Sequence, residues 1–187
     1  MTDARRLSAV FAHAATLRDA EPTDRPFLLA LYASTRATEL AQTDWSPETR
    51  QVFVHMQFEA QQADYQRRHP GSRCQVIESG AGPIGRLWVA RDDDCLHVLD
   101  ISLIPALRGC GIGGACLRGV LEEARKQQLE VRLHVLAGNP ARRLYERLGF
   151  APVGLPALHQ AMTWTPPLGA RRRASANDSL EMRHEQA

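Results

Sequence analysis

A chain of 187 residues, 44% of them hydrophobic, carries enough apolar surface for one sizeable core, so a single globular domain is expected. Its 23 basic and 21 acidic residues leave a formal charge of +2, which excludes a strong overall field for nucleic acid or a membrane surface; any anion site must be local. Cys74, Cys95, Cys110 and Cys116 show neither CxxC spacing nor histidines placed to complete a zinc site, which predicts reduced thiols and no metal. Lys126 is the only lysine, a bias that codon usage explains. The stretch Met1–Ala20 has one short apolar patch, Val10–Ala15, too little for a signal peptide or a membrane span, so the expected location is cytoplasmic.

Along the chain, Phe27, Leu28, Leu31 and Tyr32 recur at helical spacing behind Thr23-Asp24 and Pro26, predicting a helix over Asp24–Arg36. The polar segment Ala37–Asp44 reads as a connection. Ser46-Pro47 then reads as a cap followed by proline in a first turn, and Phe53, Met56, Ala60 and Ala63 extend a second helix over Pro47–Arg68, ended by His69-Pro70-Gly71. Three strand-like runs follow as an antiparallel meander: Arg73–Glu78, Ile84–Arg91 and Leu96–Leu103. A third helix is expected over Gly111–Gln128 and a short buried strand over Val131–Leu136. Asn139 caps a fourth helix whose inner stripe is Ala141, Leu144, Tyr145 and Leu148, with Gly149 at the left-handed C-cap. Strands near Pro152–Gly154 and Leu158–Trp164 close a domain spanning 1–165. The remainder, 166–187, includes a tail Gly169–Ala187 with too few apolar groups to offset the entropy of ordering, and is read as disordered.

The segment Asp100–Gly114 carries the chemistry. A strand passes through an arginine- and glycine-rich turn into a helix N-terminus, where backbone N–H groups are unpaired. Gly109, Gly111, Gly113 and Gly114 bring no side chains to hold a phosphate away, the helix dipole favours an anion, and Arg108 adds charge at the rim. The expected ligand group is a pyrophosphate. Gly109, Gly111 and Gly114 also satisfy GxGxxG, with Glu130 near the ribose-binding distance, so a dinucleotide-binding oxidoreductase is an alternative; against it, Pro105–Arg108 interrupts the run from strand to glycine. No Gly-Lys-Ser/Thr is present, which excludes a Walker loop.

Arg108-Gly-Cys-Gly111-Ile-Gly113 resembles the Gln/Arg-x-x-Gly-x-Gly/Ala cofactor motif of the GNAT superfamily of N-acetyltransferases. Asn139-Pro-Ala-Arg-Arg-Leu-Tyr145-Glu-Arg-Leu-Gly149-Phe150 is similar to the second hallmark of that family, with its alanine shifted. The resemblance implies a mixed α/β (α+β) fold: a mostly antiparallel sheet of about six to seven strands, flanked by about four helices, with a splay between the fourth and fifth strands. Acetyl-coenzyme A would lie in that splay. Main-chain groups of Ile101, Ser102 and Leu103 would pair with its pantetheine arm, the amides of Arg108, Gly109, Cys110, Gly111, Ile112, Gly113 and Gly114 would hold the pyrophosphate, and Asn139 would lie near the thiol. Cys110 reads as a spacer, since direct transfer needs no acyl-enzyme.

Direct attack of an amine on a thioester needs a neutral nucleophile, a polarised carbonyl and a proton for the leaving thiolate, and no metal. Tyr145 matches the family's general acid. Family members often place a glutamate on one of the splayed strands, and here both corresponding positions are histidine, His97 and His134; an imidazole's ordinary pKa near 6.5 suits a base at neutrality, so the role stays open between them. Asp100 is expected on the strand face opposite His97 and reads as structural. Glu39, Asp44 and Trp45, in the expected connection Thr38–Trp45, could orient a cationic acceptor, with Leu155–Gln160 as the other wall. The expected partner is an amine-bearing acceptor, with no nucleic acid or membrane, for a monomer or homodimer. The alternative within this resemblance is a coenzyme A-binding regulatory module without catalysis.

Overall fold

In the computed structural model, which describes residues 15–167, seven strands form one sheet. They are β1 (Thr16–Asp19), β2 (Arg73–Ser79), β3 (Gly82–Arg91), β4 (Cys95–Leu103), β5 (Glu130–Leu136), β6 (Ala151–Val153) and β7 (His159–Trp164), in the spatial order β1-β2-β3-β4-β5-β7-β6. Every neighbouring pair is antiparallel except β4 and β5. Four helices complete the fold: α1 (Arg25–Leu40), α2 (Pro47–Arg68), α3 (Ile112–Gln127) and α4 (Arg142–Arg147). The tail Gly169–Ala187 and most of the patch Val10–Ala15 lie outside the described residues.

Each sheet face has its own core. Ile77, Leu87, Leu96, Val98, Val131, Leu133 and Met162 pack with Ile112, Leu117, Leu121 and Ala124 of α3 and Tyr145 of α4. On the other face Val76 joins Leu28, Tyr32 and Leu40 of α1 and Val54 and Phe58 of α2. Phe58 is 1% exposed, and burying such a side chain contributes about 1.5–3 kcal/mol.

The expected elements are present, with differences that have physical reasons. The first helix does not stop at Arg36: Leu40 is 8% exposed in the α1–α2 core, and its burial carries the helix one more turn. Thr38 and Glu39 therefore lie on α1, not in a connection. The second helix has the expected bounds, with Ser46 Oγ accepting from the Thr49 amide at 3.2 Å. Strand β1 has no counterpart in the sequence reading, because its four residues show no buried alternation. It is fixed by ions instead: Arg18 donates to both carboxylate oxygens of Asp24, at 2.6 and 2.7 Å, and to Glu78 Oε1 at 2.8 Å. Helix α4 is shorter than expected, beginning at Arg142 after a turn in which Asn139 Oδ1 accepts from the Ala141 amide at 2.9 Å. Gly149, at φ 93°, takes the left-handed position after it.

Candidate active site

Strands β4 and β5 pair in parallel from Cys95↔Glu130 to Val98↔Leu133, and the pairing ends there. Beyond that point β4 follows β3 as far as Leu103↔Gly85, while β5 follows β7 as far as Leu136↔His159. The two strands part, and the β4 edge turned towards β5 carries backbone groups with no ladder partner. An extended ligand meets such an edge as an added strand would. Ile101, Ser102 and Leu103 stand on this open edge. Gly85 holds β4 from behind, since a Cβ there would lie 2.5 Å from the Ser102 carbonyl oxygen.

The parting coincides with a β-bulge. Trp88 pairs with Asp100 and Val89 with Val98, so Leu99 has no partner on β3. One extra residue reverses the alternation of faces. Leu96 and Val98 before the bulge, and Ile101 and Leu103 after it, all pack on the α3 side. His97 and Asp100 therefore share the opposite, α2 face, which corrects the expectation that they point apart. Asp100 Oδ2 accepts from Arg86 Nε at 2.8 Å, Ser102 Oγ bonds the same carboxylate at 2.9 and 3.0 Å, and Arg86 Nη2 donates to Gln61 of α2 at 2.8 Å. Arg86 is 2% exposed, with its guanidinium 5.4 Å from the Trp88 ring centre.

After β4 the chain makes a 3-10 turn, Pro105–Leu107, and reaches the glycine-rich loop. Gly109 and Gly111 adopt φ 76° and 83°, which side chains disfavour, and a Cβ on either would meet nothing within 4 Å. Gly111 is the N-cap of α3 and gives it no side-chain cap; the first turn bond runs from Ala115 N to Gly111 O, leaving the Ile112, Gly113 and Gly114 amides unpaired by the helix. Gly113 and Gly114 also border neighbouring elements. A Cβ at Gly114 would lie 3.4 Å from Leu144 of α4, and one at Gly113 3.8 Å from Ile101 and Leu103, ordinary contact distances that place both glycines where α3 meets α4 and β4. Ile112 is fully buried, and Cys110 packs against the same core. Arg108 turns back from the rim: Nε donates to the Leu103 carbonyl at 2.9 Å and Nη2 to Ser34 Oγ at 3.0 Å, fastening the loop to β4 and α1.

Tyr145 is 8% exposed on α4, edge-on to Phe150 with ring centres 5.9 Å apart. Burial, with the Asp100 charge as a second cause, pushes its phenol up to about 12. His134 is exposed and occupies the first β5 position beyond the last β4–β5 pair, at the mouth of the splay. His97 is not brought there. It sits before the bulge, opposite Arg132 of β5, with Nε2 2.7 Å from Asp92 Oδ2 and 3.0 Å from Cys95 Sγ. Asn139 is exposed, its Oδ1 engaged in the turn before α4.

The three residues expected at the acceptor are divided between α1 and the turn that follows it. Glu39 pairs with Arg36 at 3.2 Å on the surface of α1, and Asp44 is exposed in the following turn. Trp45 packs edge-on to Phe53 at 5.0 Å and lines an apolar groove of about 420 Å³ with Val52 and Met56.

A sequence model of the acetyltransferase (GNAT) family matches residues 36–150, a span containing the parted strands, the loop and α4. The chain belongs to this acetyltransferase family. No curated protein sequence matches the chain significantly. GNAT proteins dominate the similar solved structures. The PaiA N-acetyltransferase of Thermoplasma acidophilum, solved with coenzyme A, is 16% identical, with a TM-score of 0.63 over 81% of this chain and 98% of its own. A histone acetyltransferase HPA2-related acetyltransferase of Corynebacterium glutamicum is 19% identical, with a TM-score of 0.62 over 84% and 99%. Ard1 of Thermoplasma volcanium is 21% identical, with a TM-score of 0.56 over 82% and 99%. At these identities the likeness establishes the fold. Membership of the GNAT family makes the chain an acyltransferase and displaces the oxidoreductase alternative drawn from GxGxxG.

Two features of this GNAT site were missed by sequence reasoning, the Leu99 bulge and the Arg86–Asp100–Gln61 network behind it. A signal existed: the apolar positions of β4 shift from even to odd numbers between Val98 and Ile101. Among the described residues no helix is long and apolar enough to cross a membrane.

Proposed function

We propose that this chain transfers the acetyl group of acetyl-coenzyme A to a primary amine by direct attack in a ternary complex. The observation that carries the reading is the continuity of two unsatisfied backbone surfaces: the open β4 edge at Ile101–Leu103 leads, through a loop with glycines at φ 76° and 83°, to the free amides of α3. An extended arm ending in a diphosphate fits this pair of surfaces, and the coenzyme A complex of the PaiA N-acetyltransferase supports it. When bound, acetyl-coenzyme A supplies an activated acyl group on a thiolate leaving group.

The protein's own groups would do the rest. The buried Tyr145 phenol retains its proton throughout the neutral range and donates it to the departing sulfur. His134, at the mouth of the splay, takes the proton that the amine must lose. Asp100, bonded to Arg86 and Ser102 on the α2 face of β4, holds that strand in place beside the cleft. Asn139 fixes the turn that presents α4, and therefore Tyr145, to the cleft.

The test is coenzyme A release with acetyl-coenzyme A and a panel of primary amines, covering polyamines, amino acids and peptide N-termini. Amine-dependent release, with acetylated product identified by mass spectrometry, supports the reading. Acetyl-coenzyme A binding without amine-dependent release would make the chain a binding module, and absence of binding would overturn the site.

A further inference from the structure

The four cysteines suggest no metal when read along the chain, yet folding gathers one of them with two other ligand-type groups. At the end of β4 away from the splay, His97 Nε2 lies 2.7 Å from Asp92 Oδ2 and 3.0 Å from Cys95 Sγ, and Sγ lies 4.0 Å from that same oxygen. The β3–β4 turn makes the convergence: Asp92 N donates to the Cys95 carbonyl at 2.9 Å, while Cys95 and His97, two apart on a strand, share a face. Cys95 is fully buried and Asp92 is exposed, so the cluster has a protein floor and an opening to solvent.

A single Nε2 hydrogen or lone pair has to serve both the carboxylate and the sulfur. A ring nitrogen carries either a hydrogen or a lone pair. With the hydrogen, Nε2 donates to Asp92, and the Cys95 sulfur stands 3.0 Å away facing a donor already engaged. With the lone pair, Nε2 accepts from the thiol but opposes a carboxylate oxygen at 2.7 Å, lone pair to lone pair. A cation at the centre uses one lone pair from each group and removes the conflict.

We propose that Asp92, Cys95 and His97 form a metal site of the zinc class, separate from the acetyl-transfer cleft, with water at the fourth position. Zinc takes nitrogen at about 2.0–2.1 Å, sulfur at about 2.3 Å and carboxylate oxygen at about 2.0–2.2 Å, lengths that donors spaced as these are can reach around one ion with small shifts. The mixed N, S, O set suits zinc over the all-oxygen preference of calcium and magnesium. Binding releases the Cys95 proton to solvent, and thiolate and carboxylate together balance a divalent charge. Asp94, 3.6 Å from Arg132, adds negative charge beside the site, and His69 at the end of α2 flanks it with its ring centre 5.3 Å from that of His97. Such an ion fastens the β3–β4 turn to the one parallel strand pair of the sheet.

The test uses the tag-free full-length chain, stripped with chelator and titrated with cobalt(II), then zinc(II). The expected result is one cobalt per chain with a thiolate-to-cobalt charge-transfer band and tetrahedral d–d absorption, both displaced by zinc, and a melting temperature that rises with zinc. Cys95→Ser abolishes the charge-transfer band and Cys116→Ser retains it. Asp92→Asn, at an exposed position, weakens zinc at least the roughly tenfold that losing an outer-shell partner costs. If Cys95→Ser proves unfolded by circular dichroism, Asp92→Asn decides. A wild-type chain without the thiolate band, or an Asp92→Asn chain with wild-type zinc affinity, overturns the proposal.

Discussion

The Tyr65 hydroxyl donates a 3.0 Å hydrogen bond to the carbonyl oxygen of Leu99, the residue that β4 carries in excess of its partner β3. A bulge leaves a carbonyl outside the ladder, and here α2 supplies the missing donor at the point where β4 leaves β5. Tyr65→Phe keeps the edge-on packing against Trp88, at 5.1 Å between ring centres, and removes only this bond. The expected loss is about 1 kcal/mol, a fall of roughly 2–4 °C in melting temperature, accompanied by a higher KM for acetyl-coenzyme A because the open edge is less firmly placed. Calorimetry and initial rates measure both; an unchanged midpoint and KM would show that water replaces the hydroxyl.

The acid role of Tyr145 makes a separable prediction. Its hydroxyl bears the chemistry, while its ring belongs to the core, so Tyr145→Phe should leave the fold and acetyl-coenzyme A affinity within about twofold. Turnover should fall by about 10²–10⁴, the range of general acid catalysis. Isothermal titration with acetyl-coenzyme A and single-turnover rates separate the two effects. Equal turnover in the variant at saturating amine would move the acid elsewhere.

Much of this site was legible because backbone requirements write themselves into sequence. Gly109 and Gly111 sit where φ is positive, Ser46 and Asn139 where amides need an acceptor, and Tyr145 on a helical stripe of period 3.6. What stayed hidden depends on contacts between distant segments. Cys95 and His97 show no shared role along the chain until the turn returns Asp92 to them, and the partners of Arg86, Asp100 and Gln61, come from a neighbouring strand and from α2. Strand β1 was hidden for another reason, as ion pairs from Arg18 hold it in place of an apolar pattern.

Asp100 carries the largest expected stability effect. Asp100→Asn leaves a nearly fully buried Arg86 without its counter-charge, and breaking a buried pair from one side costs about 3–5 kcal/mol. Replacing both, as Arg86→Met with Asp100→Leu, should recover a large share of that loss, because no unpaired charge remains. Urea unfolding of the two variants provides the comparison. Equal destabilisation by single and double changes would mean that the pair contributes shape alone.

The two helix glycines Gly111 and Gly119 should respond to alanine with opposite signs. Gly111 holds φ 83° and Gly119 lies in the exposed interior of α3 with nothing within 4 Å of its would-be Cβ. Gly119→Ala gains helix propensity, about 1 kcal/mol of stability. Gly111→Ala loses about 1–2 kcal/mol to left-handed strain and tilts the free amides of Ile112 to Gly114, so its KM for acetyl-coenzyme A rises more than its turnover falls. Thermal melts and initial rates decide; stabilisation by both changes would show that the loop tolerates another backbone path.

Alkaline pH should destabilise the fold through buried acids whose charged forms the interior disfavours. Burial is the largest cause in each case: Tyr65 and Tyr145 are pushed up to about 12 from 10.0, and Cys74 up to about 11 from 9.0. In the unfolded chain these groups lose their protons at the ordinary values, so between the two pKa values of each group the unfolded state binds fewer protons than the native state, and stability falls as pH rises. Their contribution is complete below about pH 9 and is lost progressively to about pH 12, with a limiting slope of about 1.4 kcal/mol per pH unit for each group. Asp24 works in the opposite direction: Arg18 holds its carboxyl below the ordinary range, so its contribution is present above the unfolded value of 3.8 and disappears as pH falls through the native one. Melting temperatures between pH 6 and 11 should therefore be level to about pH 9 and then decline, less steeply in Tyr65→Phe than in the wild type. A wild-type curve level to pH 11 would mean that these phenols ionise in the native state as readily as in the unfolded chain.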